Sequence, residues 1–247
     1  MANSQRIQLV ETGYSSIAKD AALSTPSSNK QLVIHSAGCY NGTGSSLDAA
    51  VGVRFSTAAW KLWTVQASNA DATSTIQAGS AVSILPTTNN YGFIAQAKDK
   101  FALLSFTISQ AETGSPTYSY QYWNGSAWTT LTLRNSPVYT STGSIGIAFA
   151  PPIDWATGNG SATADFSSTN AGYCIRVRGT TGPSTAVQVT AMAVSKFWLY
   201  RQLTTKTGMN VSFDFQPCTL DIGESVQAFF SSASANNSVE IAYQVNG

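Results

Sequence analysis

Almost the whole chain is divided into short runs of apolar, β-branched and aromatic residues, many alternating with polar ones and closed by clusters of Gly, Pro, Asn and Ser. Side chains that alternate with a period of two suit a pleated strand, and no stretch carries the 3.6-residue period of an amphipathic helix. The runs at 29–38, 51–55, 82–85, 101–109, 118–123, 128–133, 145–149, 173–178, 186–194, 196–201, 211–215, 225–230 and 239–245 read as strands. Only 17–23, 47–50 and 152–156 offer a helical turn. Many short strands at regular spacing predict an all-β chain of β-sandwich, jelly-roll-like build.

Composition narrows the partners. Lys and Arg total 13 and Asp and Glu 12, a formal net charge of +1, and charged residues make up only 10% of the chain. Nucleic-acid binding needs a basic surplus to displace phosphate counterions, so no nucleic-acid partner is expected. A hydrophobic content of 43% argues against disorder. No run of apolar residues reaches the length of a membrane span, and no apolar segment follows Arg6 as in a secretory signal. No membrane partner is expected, and synthesis in a cytosol is. Ser and Thr together make about a quarter of the chain. Hydroxyls solvate a sheet face without charge but leave strand edges poorly guarded, which suits a subunit covered by neighbours.

The most informative stretch is Thr117–Leu133. Tyr118, Tyr120 and Tyr122 alternate, Asn124-Gly125 supplies a dipeptide that tolerates positive φ, and Trp128, Thr130 and Thr132 share a face on the return. A tight hairpin with Trp123 and Trp128 on its two arms is predicted. Its aromatics serve either as a sugar-stacking platform or as sandwich core with a bracing Trp pair. The large burial that aromatics contribute to cores favours the second.

Tyr122-Trp-Asn-Gly-Ser-Ala-Trp128 is followed by Ile147-Ala-Phe-Ala-Pro-Pro-Ile-Asp-Trp155 and Gly172-Tyr-Cys-Ile-Arg-Val-Arg178. This set resembles a module recurrent in tailed-bacteriophage virion proteins, similar to a discoidin-like or galactose-binding-like β-sandwich, over roughly 96–200. Cys174 departs from that pattern, in which a large residue often stands. The run Leu220-Asp-Ile-Gly-Glu-Ser-Val-Gln-Ala228 and the strand after it resemble the closing hairpin of small phage sandwich domains, with Leu220, Ile222 and Val226 entering the core. In such domains the opening strands have the form of 30–40 and 50–55. The resemblance therefore implies a discontinuous assembly domain, 1–95 with 203–247, and an inserted discoidin-like domain at 96–202. Two consecutive domains with a C-terminal hairpin extension remain the alternative.

The stock of catalytic groups is small. His35 is the single histidine and falls within a strand-like run, so a Ser–His arrangement is not expected. Cys39, Cys174 and Cys218 are far apart, form no CxxC pair, and read as small buried hydrophobes. Glu112, Asp154 and Asp165 are the candidate carboxylates for glycoside hydrolysis, although nothing around them resembles a depolymerase. Arg176 and Arg178 share one strand face, read as solvated, with an ion pair to Asp154 or Asp165 as the sharper alternative. The galactose-binding-like resemblance leaves room for a structural calcium on Asp154, Asp165 and the Gly158-Asn159-Gly160 loop, but the carboxylates are sparse. No cofactor is expected.

These readings converge on a non-enzymatic structural protein of a tailed phage on the virion surface. Capsid decoration or cement is the first expectation, and a tail, baseplate or fibre part the alternative. Its partners would be copies of itself, a trimer being favoured, and a capsid or tail protein, with Ala2–Thr12 adding a strand to a neighbour. A carbohydrate-binding module for host-surface glycan is the second hypothesis, with Trp123, Trp128 or Trp155 stacking on sugar.

Overall fold

A computed structural model describes residues 4–10, 14–18, 31–158, 172–212, 218–221, 223–231 and 237–246. The chain divides into two compact units, one formed by 1–56 and 195–247 and the other by 57–194. The first opens with β1 (Ser4–Val10), β2 (Tyr14–Ala18), β3 (Gln31–Asn41) and β4 (Leu47–Arg54). The second holds β5 (Trp60–Val65), β6 (Ala70–Asp71), β7 (Val82–Leu85), β8 (Gly92–Ala97), β9 (Leu103–Gln110) and β10 (Thr117–Trp123). It continues with β11 (Trp128–Thr130), β12 (Gly143–Ala148), β13 (Thr157–Gly158) and β14 (Gly172–Thr181). The long β15 (Val187–Leu203) returns the chain to the first unit, which ends with β16 (Thr207–Ser212), β17 (Cys218–Leu220), β18 (Ser225–Phe230) and β19 (Ser238–Asn246). The chain is all-β, as its alternation predicts.

In the first unit one sheet has the order β1-β19-β3-β16, with β17 also on β3. The other side is built from Ser195–Leu203 of β15, then β4, β18 and β2. Leu32 and Ile34 of β3, Val51 and Val53 of β4, Val226 and Phe230 of β18, and Ile241 and Tyr243 of β19 form one buried cluster between them. This is the sandwich core that the alternation of each strand requires. Leu220 and Val226 join it as expected, while Ile222 lies outside the described residues.

In the second unit the larger sheet runs β11-β10-β14-β8-β5-β6, with β13 on β14. Opposite it, β12 pairs with β9, and β7 pairs with Val187–Val189 of β15. Phe93 of β8 meets Phe106 of β9 edge to face at 5.3 Å, which marks the core of this sandwich. Gly92 is required at the start of β8, because a Cβ there would stand 1.9 Å from the carbonyl oxygen of Val177 on β14.

Several local expectations give way to pairing. Leu47–Ala50, read as a helical turn, begins β4, which is paired on both sides by β15 and β18. Two ladders outweigh the weak helical preference of Ala. Ile17 lies in β2, not in a helical turn, and 19–23 lie outside the described residues. The N-terminal arm forms a strand, and Ser4–Val10 pairs with β19 of its own chain at the edge of that sheet. The one α-helix among the described residues, Thr73–Gln77, falls where no helical pattern stands out. At 152–156 the chain makes a turn in which the Trp155 amide donates to the Pro152 carbonyl at 3.4 Å. No helix of the described residues is long and apolar enough to cross a membrane.

Candidate ligand-binding face

The predicted hairpin forms. Trp123 pairs directly with Trp128 across β10 and β11, and their rings meet edge to face at 5.7 Å. The connection differs from the two-residue turn that Asn124-Gly125 suggests. It spans Asn124–Ala127, and only Gly125 takes a positive φ, at 98°. Asn124 Oδ1 accepts from the amides of Ser126 and Ala127, so the side chain organises the loop in place of a left-handed Asn.

Strand alternation puts the two sides of this sheet to different uses. Ile175 and Val177 face the core, as does Tyr122 further along β10. The opposite face carries Trp63 of β5, Ile94 of β8, Cys174 of β14 and Trp128 of β11, packed together. Arg176 lies on this face beside Gln121, its cross-strand partner, and donates through Nε at 3.1 Å and Nη2 at 2.7 Å to the Gln121 side-chain oxygen. Its guanidinium lies 4.3 Å from the centre of the Trp128 ring. The solvated face read for this arginine is in part a packed one: an amide and an aromatic ring hold it, and Asp154, the described partner of the alternative ion pair, bonds to Tyr122. Burial first, and the charge of Arg178 second, push the Arg176 pKa down to about 9, so it keeps its proton at neutral pH.

Beside these groups lies a groove of about 320 Å³, lined in part by Asn69, Asn90, Tyr91, Trp128, Arg176 and Arg178. Asn90 is held at a φ of 66° by a turn in which its amide donates to Gly179 at 2.7 Å. Asn is among the residues that tolerate this left-handed region best. Trp63, Asn69 and Tyr91 are absent from the aromatic motifs that mark the site in the sequence. They reach it through β8, which stands between β14 and β5.

The other predicted site residues are engaged in packing. Trp155 is 4% exposed, its indole N–H donates at 3.0 Å to the Cys174 carbonyl, and its ring packs against Phe101, Phe149 and Tyr173. Asp154 accepts a 2.8 Å hydrogen bond from the Tyr122 hydroxyl, which raises the tyrosine pKa. Glu112 is buried and accepts from the Tyr118 hydroxyl within a cluster that includes Tyr120 and Tyr139. Asp165, Asn159 and Gly160 lie outside the described residues, and among those described no group of three His, Cys, Asp or Glu side chains gathers to hold a metal. Cys39 and Cys174 are buried, and burial pushes both thiol pKa values up. His35 is half-buried on β3.

No family model, curated protein or solved structure matches the chain.

Proposed function

We propose that the chain is a non-enzymatic structural protein of a phage virion, displayed on the particle surface as a decoration or cement protein. A tail, baseplate or fibre position is the alternative. The observation that carries the non-enzymatic part is the employment of the reactive side chains. Glu112 and Asp154, the described carboxylates a hydrolase would draw on, each accept a tyrosine hydroxyl, and the thiols of Cys39 and Cys174 are enclosed. Such contacts hold strands together and tie both carboxylates to structural tyrosines, a poor setting for the acid–base pair a hydrolase needs. The virion part is supported by the hairpin, Asp-Trp and Arg-x-Arg motifs and by the charge-poor, hydroxyl-rich composition of a chain that expects neighbours. Its partners would be further copies of itself, as a trimer, and one capsid or tail protein.

Electron microscopy of intact particles labelled through this chain tests the proposal. Regular density on the head supports decoration, and density confined to the tail selects the alternative. Absence from purified particles removes both. A second reading, attachment to host-surface glycan, is favoured by the groove at Trp128 and Arg176.

A further inference from the structure

The groove beside Trp128 has an unusual charge balance. Arg176 and Arg178 stand two residues apart on one face of β14, and no Asp or Glu is among the residues that line it. Arg178 Nε is buried and has no hydrogen-bond partner among the described residues. Two like charges and an unanswered buried donor make this spot favour an acceptor of opposite charge. Arg176 is already fixed by Gln121 and by the Trp128 ring, so its planar fork needs no ordering before it meets a ligand. We infer that this groove is a binding site for the carboxylate-bearing ring of an acidic saccharide.

A bare anion would use only the arginines. The groove measures about 320 Å³ and also presents Asn69, Asn90 and Tyr91, neutral groups that donate to and accept from ring hydroxyls. That volume falls at the small end of ligand pockets, where a single polar ring fits better than a long apolar chain. The ring plane of Trp128 on the side of Arg176 is covered by the guanidinium, so the sugar is recognised by the arginine fork more than by stacking on that indole. The chain as a whole carries a net charge of only +1, which leaves the pair as a local anion site without the broad basic surface of a polyanion binder. This inference rests on the glycan-attachment reading and specifies its ligand.

The test uses the full chain on an array of uronic-acid, nonulosonic-acid, sulfated, phosphorylated and neutral oligosaccharides, followed by titration calorimetry with the best member and with inorganic phosphate. Hits confined to carboxylated sugars are expected. Arg178→Gln should weaken the best of them at least tenfold while far-UV circular dichroism and the melting temperature stay close to those of the parent. Arg178→Lys should restore only part of the loss, since a lysine lacks the fork. Binding should also fade as the pH falls through the sugar's own carboxylate pKa. Equal binding of neutral sugars, or hits that survive both Arg178→Gln and Arg176→Met, overturn this site but keep glycan attachment. Inorganic phosphate binding as tightly as the sugar acid reduces the groove to a bare anion site. Hits confined to sulfated or phosphorylated sugars overturn the carboxylate assignment. A folded chain that binds no member of the array overturns both the site and the attachment reading.

Discussion

The indole N–H of Trp155 donates a 3.0 Å hydrogen bond to the main-chain carbonyl of Cys174, and the ring lies edge-on to Phe101 at 4.9 Å. A residue with the sequence profile of a sugar platform thus closes the core of the second unit. Trp155→Ala should destabilise that unit by about 3–5 kcal/mol, the usual penalty for emptying a buried aromatic site. Chemical denaturation would show the drop, with Trp155→Phe losing much less. A loss of glycan binding in Trp155→Ala would then report unfolding and not a lost contact.

Gly92 should tolerate no side chain. A Cβ would meet the Val177 carbonyl at 1.9 Å, and both atoms belong to paired central strands that cannot separate without breaking the ladder. Gly92→Ala is expected to lower stability by about 1–3 kcal/mol or more. Gly44→Ala, which meets nothing within 4 Å, is the control and should leave the denaturation midpoint unchanged.

Alkaline pH should unfold the protein earlier than a typical surface-tyrosine protein. Burial raises the pKa of Tyr118, Tyr120 and Tyr139 above the usual 10.0, with Glu112 reinforcing the shift. Above that usual value the unfolded chain loses protons that the folded chain keeps, so stability falls as pH rises. Below it both states hold the protons and these groups add no pH dependence. Denaturant midpoints measured across pH should be flat with respect to the tyrosines until about 10 and then decline. Tyr139→Phe should make the decline shallower.

Thiol accessibility should separate the three cysteines. Cys39, with its pKa raised to about 12, and the enclosed Cys174 should both resist an aromatic disulfide reagent at neutral pH. At most the half-buried Cys218 should react in the native protein, and all three in denaturant. Rapid native labelling of Cys174 would contradict the packing of the sheet face that carries Arg176.

Much of the fold is legible locally. The hairpin at Trp123 and Trp128 needed only alternating aromatics and an Asn-Gly turn, because its contacts are a few residues apart. Gly92–Ala97 was harder to see for the opposite reason. Every residue of that strand is buried, so the polar half of the alternation is missing and Gly-Phe-Ile-Ala-Gln-Ala carries no period. In Leu47–Arg54 only the first half, 47–50, was masked, by Ala49 and Ala50, which gain their strand from β15 and β18.

The sequence by itself determined the all-β class, the placement of Arg176 and Arg178 on one strand face, and a hairpin with Trp123 and Trp128 on its two arms, since all three follow from side-chain alternation and turn chemistry. Only the tertiary structure decided what those residues meet. Strand order set β14 between β10 and β8, which brought Gln121 and Trp128 to Arg176 from one side and Asn90 and Tyr91 to the groove from the other. It also turned Trp155 inward and gave Glu112 and Asp154 to tyrosines. Alternation fixes a side chain's face, but its neighbours come from ladders between residues far apart in the chain, and no local pattern records them.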